Sequence, residues 1–378
     1  LFHVVMRGSA IAAGQNFFDG ISLTYGLLMP SIMSVVEARR PELSLAAQLR
    51  FVQVCQMLFC LAAVLAYAAY ARRRGSFALL AVVLVAGPYW ASAGLGIWHP
   101  NQTGFRSLWL AAGLAALMIV GRLPCERAVW WLGSVAGLAI LMNLETAVVL
   151  CGGFAVFLIA RTRTFPVALV LRMALAACLV ITAYALIYPI ALGRMPFSFQ
   201  APGLFDFVAR FSSGSYGLRL FTAGYEGEGF YIVPLALLMF AHAIYVVIDS
   251  SRKLGRRALP LRGALRMSVA AMLIVWMAYY FNAPNWWQIW TELFLYGFLV
   301  VDVLDRRFLG IVSFAREGSL AARLMQMRVR PMFFVLLVFL AVLIPHTNRH
   351  LFKYMSGFMY LRWISTASEI SILSGILM

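Results

Sequence analysis

A chain of 378 residues that is 63% hydrophobic and 12% charged, with a mean hydropathy of +0.86, has about half the roughly 25% of charged residues that a water-soluble domain needs to cover its surface. Composition therefore excludes an ordinary soluble globule and points to an integral membrane protein. The excess of 31 Lys and Arg over 14 Asp and Glu does not imply nucleic acid as a partner, because the cations recur in short clusters between apolar runs and not in one patch.

The first 20 residues lack both the long apolar core and the small-residue cleavage site of a signal peptide, and the chain opens on Leu1 without an initiator methionine, so an N-terminally truncated fragment is expected. Asp19 lies in Ala13-Gly14-Gln15-Asn16-Phe17-Phe18-Asp19-Gly20. It fits a general base, a ligand for a divalent cation, or the acid of an Asp-Gly turn. Tyr25 to Val36 is apolar but too short to cross a bilayer and runs into Glu37, Arg39, Arg40 and Pro41, which predicts a re-entrant or interfacial helix on the external face. Residues 1–45 are thus read as an external loop with a re-entrant helix.

Spanning helices need about 20 predominantly apolar residues. The candidates in order are 46–70, 76–97, 104–120, 129–143, 146–160, 166–190, 229–248, 267–281, 288–304 and 331–345, about ten spans in one transmembrane domain covering 1–378. Placing Arg72 to Arg74 in the cytoplasm makes the loops at 121–128, 161–165, 249–266 and 305–330 cytoplasmic as well. Those loops hold most of the Lys and Arg, while most acidic residues fall on the other side, as the positive-inside rule demands. The fold class expected is all-α, a polytopic transmembrane helical bundle with external re-entrant or interfacial helices.

Several external turns carry candidate chemistry. Trp98-His99-Pro100-Asn101-Gln102-Thr103-Gly104-Phe105-Arg106 offers His99, Asn101 and Arg106; an arginine at the lipid boundary either clamps a phosphate bidentately or snorkels to headgroups. Asn143 and Glu145 sit in Met142-Asn143-Leu144-Glu145-Thr146 between two apolar runs, each too short to span comfortably. A tight helical turn would set them at a cavity mouth, or else Glu145 is satisfied by a nearby arginine or caps the following helix. Gly133 and Gly137 just upstream form a GxxxG, read as close helix packing. The loop at 191–228 interleaves aromatics with turn residues, and Leu204, Phe207, Val208 and Phe211 share one face of an interfacial helix. His242 falls inside a span and reads as a satisfied core residue. Tyr279 to Gln288 is dense in aromatics and amides: Tyr280, Asn282, Asn285 and Trp286 suit a sugar, or form part of an aromatic belt. Residues 346–378 are expected as an interfacial C-terminal segment. The five cysteines show no paired spacing and read as small core residues, with no metal motif among them.

The Gly-x-x-Phe-Phe-Asp segment followed by Tyr-Gly-x-x-x-Pro (Gly14 to Pro30) resembles the first external loop of GT-C-type multi-spanning membrane glycosyltransferases. Tyr279-Tyr280 with its amide-rich turn is loosely similar to an external turn in some bacterial members, as is the helix pair around Asn143 to Glu145. The resemblance implies transfer of a sugar from a polyprenyl-phosphate donor to an acceptor hydroxyl at the external, periplasmic face of a bacterial inner membrane. It implies Asp19 as base or divalent-cation ligand and Arg106 at the donor phosphate, with Glu145 matching by position alone. Two departures stand out: the spanning helix and acidic residue usually found upstream of the Phe-Phe-Asp segment are absent from this chain, leaving room for a base before Leu1, and Asn282 and Asn285 replace an Arg and a His. The competing class is a polytopic transporter or lipid flippase, in which intramembrane carboxylates and broken helices line a path.

Overall fold

The computed structural model describes residues 8–15, 27–41, 44–71, 104–197, 232–282, 293–303 and 305. Within them the chain is all-helical, without strands. The helices are α1 (Leu28–Arg39), α2 (Ser44–Tyr70), α3 (Gly104–Val120), α4 (Cys125–Met142), α5 (Leu144–Thr162), α6 (Val167–Leu192), α7 (Ile232–Leu254), α8 (Leu261–Asn282) and α9 (Leu293–Val303). Among the described residues four stretches are long and apolar enough to cross a membrane: α4, α5, α6 and Leu235–Leu254 of α7. The spans expected at 76–97 and 331–345, the interfacial helix around Leu204 and the segment 346–378 lie outside the described residues.

The ends of α4 and α5 follow from local chemistry. Proline has no N–H to lose, so α4 starts directly after Pro124, with Glu126 in the first turn where the helix dipole favours an acid. Asn143 is extended (φ −162°, ψ 112°), closes α4 with its own N–H on the Ala139 carbonyl at 2.7 Å, and opens α5 by accepting from the N–H groups of Glu145 and Thr146 at 2.9 and 3.2 Å. A single residue thus turns the chain through a helical hairpin. The two helices are 18 and 19 residues long, which corrects the expectation of two short ones: polar residues at their ends away from Asn143, Cys125 to Arg127 and Arg161 to Thr162, remain helical where hydropathy had already fallen. Helix α5 stops at Arg163, which adopts the left-handed conformation at φ 66° and is held there by donating to the Gly255 carbonyl at 2.9 Å. Helix α6 stops at Gly193 with φ 80°, a conformation glycine reaches without a Cβ penalty.

Packing follows the small residues. Helix α4 lies against α6 through Gly133 and Gly137; a Cβ on Gly137 would come within 2.8 Å of the Ala177 carbonyl oxygen. Helices α5 and α8 close on Gly153, whose carbonyl accepts the Ser268 hydroxyl at 2.6 Å. In a lipid environment, where apolar surface gains nothing by leaving the solvent, such close backbone approach and interhelical hydrogen bonds supply the association. Aromatic rings join α2 to α9: Tyr67 stacks on Phe298 with centroids 4.4 Å apart, and its hydroxyl donates to the Phe294 carbonyl at 2.6 Å.

The outward face of α6 is predominantly apolar, with Leu171, Leu175, Leu179, Leu186, Ile187 and Ile190 all more than half exposed and Arg172 and Thr182 the exposed polar residues among them. A contiguous apolar face on a helix about 39 Å long is far larger than a water-facing monomer surface carries. Cys178 is exposed on this helix, so it is not the small core residue expected, whereas Cys55 is buried.

Candidate functional site

Short connections fix which helix ends lie together. Residues 121–124 join α3 to α4, Asn143 joins α4 to α5, 163–166 join α5 to α6, and 255–260 join α7 to α8, and helices so joined run antiparallel. The α7–α8 turn meets the end of α5, with the Leu259 N–H on the Ala160 carbonyl at 2.8 Å. One end of the bundle therefore gathers the start of α3, the α4–α5 corner, the end of α6 and the end of α8; the other gathers the basic connections.

At the first end lie the candidate residues that fall within the described backbone. Arg106 is in the first turn of α3, Asn143 and Glu145 are at the α4–α5 corner, and Tyr280 and Asn282 are in the last turn of α8. Asn143 is buried, 3% exposed, and its Oδ1 is engaged as the cap of α5. Glu145 is half-buried in the first turn of α5, where the positive end of the helix dipole favours it. Asp19, His99, Asn101, Asn285 and Trp286 lie outside the described residues.

Helix α1 is seated at the same end. The Leu27 N–H before it donates to the Leu141 carbonyl of α4 at 2.7 Å, and Arg39 near its close donates to the Ala191 carbonyl of α6 at 2.7 Å. Between these ties, Ser31 bonds the Tyr184 hydroxyl and Ser34 bonds the Tyr188 hydroxyl at 2.7 Å, the two tyrosine rings being stacked. Arg194, just beyond α6, donates to the carbonyls of Ile11 and of Gln15, the latter at 3.0 Å. The segment that carries Asp19 is thus held at both of its described flanks, Gln15 and Leu27, to the ends of α6 and α4.

The opposite end holds a chain of buried charge that the sequence reading did not single out. Asp249 of α7 accepts from Lys253 at 2.6 Å and from Arg266 of α8 at 2.7 Å; Arg266 reaches Asp302 of α9 at 3.5 Å. Arg262 bonds Asp302 at 3.0 Å and Asp305 at 2.6 Å while its guanidinium lies 5.0 Å from the centre of the Tyr70 ring. The alternation of sign along Lys253, Asp249, Arg266, Asp302, Arg262 and Asp305 is what lets Asp302 and Asp305 be buried at 3% and 1% exposure. Its signal was present in the sequence as two spacings, Arg262/Arg266 at i, i+4 and Asp302/Asp305 at i, i+3, each placing like charges on one helix face. Hydropathy put Asp249, Lys253, Arg262, Arg266 and Asp305 in the loops 249–266 and 305–330 and Asp302 near the end of the expected span 288–304, so the residues were not read as one network. His242, inside α7, bonds the Tyr296 hydroxyl of α9 at 3.1 Å and is buried, the satisfied core histidine expected.

Among the described residues no three His, Cys, Asp or Glu side chains group as a metal site requires. Comparison with family models, with curated proteins and with solved structures finds no match for this chain.

Proposed function

We propose that the chain is a polytopic inner-membrane protein of about ten spans and acts as a GT-C-type glycosyltransferase, moving a sugar from a polyprenyl-phosphate donor to an acceptor hydroxyl at the external face. The observation that carries this reading is that Arg106, Glu145, Tyr280, Asn282 and both flanks of the Asp19 segment lie at one and the same end of the bundle. The basic connections 121–124, 163–166 and 255–260 lie at the other end, so the positive-inside rule makes the common end external. The apolar outer face of α6 supplies the lipid contact that a membrane-borne donor needs.

In this reading Asp19 removes the proton from the acceptor hydroxyl as its oxygen bonds to the anomeric carbon, and the bond from that carbon to the phosphate oxygen breaks with its electron pair leaving on the phosphate. Arg106 neutralises the departing polyprenyl phosphate. Its position in the first turn of α3 adds the helix N-terminus, itself an anion-attracting dipole, to the guanidinium. Glu145 orients the acceptor, and the aromatic and amide residues Tyr280, Asn282, Asn285 and Trp286, with His99 and Asn101, form the sugar's surroundings. Asp19 as ligand of a divalent cation is the variant of this mechanism that the same segment allows.

A second reading, a transporter or lipid flippase, is favoured by one observation: the buried charge chain across α7, α8 and α9, since buried ion pairs between helices mark translocation paths. Radiolabelled polyprenyl-phosphate sugar supplied in liposomes with membrane glycolipid acceptors separates the two. The first reading expects label transfer that falls by about 10²–10⁴-fold in Asp19→Asn without loss of insertion, and a raised donor KM in Arg106→Ala. Wild-type turnover in Asp19→Asn removes Asp19 as base, and lipid scrambling without transfer moves the assignment to the second reading.

A further inference from the structure

The charge chain opens onto a cavity of about 670 Å³, within the roughly 300–1,000 Å³ of small-molecule sites. It is lined by Lys253, Arg256 and Arg257 from the end of α7 and its turn, by Arg262 and Arg266 of α8, and by one acid, Asp305. The ion pairs account for Lys253, Arg262 and Arg266. Arg256 and Arg257 are exposed and make no ion pair with a carboxylate among the described residues. Arg256 and Arg257 are adjacent on the six-residue connection between α7 and α8 and both line the cavity, so two guanidinium groups without a carboxylate partner are available there to an anion.

A second, independent feature points the same way. Arg266 lines the cavity and is 8% exposed, and although it is paired with Asp249 and Asp302 its guanidinium adds positive potential to the cavity wall. The first turn of α8 also faces this cavity through Arg262 and Gly263, and α8 is 22 residues long, so the dipole adds to the same positive potential. A planar fork of donors on each arginine matches the tetrahedral oxygens of a phosphate better than a spherical halide.

We propose that this cavity, at the end of the bundle opposite the candidate transfer site, binds a phosphate-bearing anion, held by Arg256 and Arg257 at the mouth and backed by Arg266. The volume exceeds that of a phosphate ion alone, which fits an esterified phosphate. Two sources share this chemistry: the headgroup of an anionic phospholipid in the leaflet on that side, or a soluble phosphate ester. The inference stands apart from the glycosyltransferase reading, and its test does not measure transfer.

The full chain purified in neutral detergent is titrated with phosphatidylglycerol, read by native mass spectrometry, and separately with glycerol 3-phosphate, read by thermal unfolding. Retained phosphatidylglycerol identifies a headgroup, and stabilisation by glycerol 3-phosphate alone identifies a soluble ester. The double substitution Arg256→Gln/Arg257→Gln, which breaks no ion pair of the network, is expected to weaken whichever probe binds by about tenfold or more. Gly263→Glu is the second variant: a Cβ there meets Leu259 and Pro260 at an ordinary 3.5 Å, so a carboxylate enters the cavity without a clash, and it is expected to abolish binding in a folded protein. If neither probe binds the wild type, or if both folded variants bind as the wild type does, the site is overturned.

Discussion

Asp302 is 3% exposed and is reached by both Arg262 and Arg266, so its carboxylate compensates two guanidinium groups that cannot lose their charge. Removing it in Asp302→Ala is expected to cost about 3–5 kcal/mol, the price of buried charge left uncompensated. Lys253 pairs with the same network but is 57% exposed at its side chain, and Lys253→Met is expected to cost less than about 1 kcal/mol. Thermal unfolding in detergent checks both; equal losses would mean that the network is solvated and not buried. At this scale the sequence was legible where a pattern has one physical meaning and ambiguous where it has two. Asn143-Leu144-Glu145 between apolar runs fits a polar cavity mouth, yet an Asn with an acid two residues on is equally an N-cap with a first-turn acid. The cap is what the Asn143 side chain forms. Residue types alone do not separate these, because both uses need the same acceptor at the same helix end.

Helices α4 and α6 meet without room for side chains at two points one turn apart, Gly133 against Met173 and Ala176, and Gly137 against Ala177 and Val180. Gly137→Leu therefore has to push α6 away, and a loss of about 1–3 kcal/mol or more is expected from overpacking, whereas Gly152→Leu, with open space around its Cβ position, is expected to be close to neutral. Similar losses for both would mean that the cost is one of backbone flexibility and not of contact. The GxxxG spacing made this contact readable from sequence. The extents of α3 and α6 were readable too, since hydropathy stays high to their ends: Gly104–Val120 and Val167–Leu192 match the apolar runs 104–120 and 166–190. It failed for α4 and α5, whose ends are set by capping and dipole terms that a hydropathy average does not contain. Helix α1 was expected as a short helix over Tyr25 to Val36 and is found over Leu28–Arg39. The displacement toward Arg39 follows from the bond that this arginine makes to the end of α6.

Across the whole molecule, the alternation of basic and acidic connections is a statement about sides, and the helix order turns it into a statement about ends. The order collects the basic connections 121–124, 163–166 and 255–260 at one end of the bundle, and Arg106, Glu145 and the flanks of the Asp19 segment at the other. That gathering was foreseeable from charge bias. What was not foreseeable is that the α1 serines, the α6 tyrosines and Arg194 fasten the described flanks of the first segment to the bundle, because such long-range polar pairs leave no periodic trace. The measurement that tests the account most directly is an experimental density map of the detergent-solubilised chain with its co-purified lipid. The account predicts an elongated isoprenoid density that runs along the outer surface of the bundle and ends between Arg106 and the Asp19 segment. A polar path open through the bundle from that end to the charge chain of Asp249, Asp302 and Asp305, with no lipid groove at its side, would contradict it.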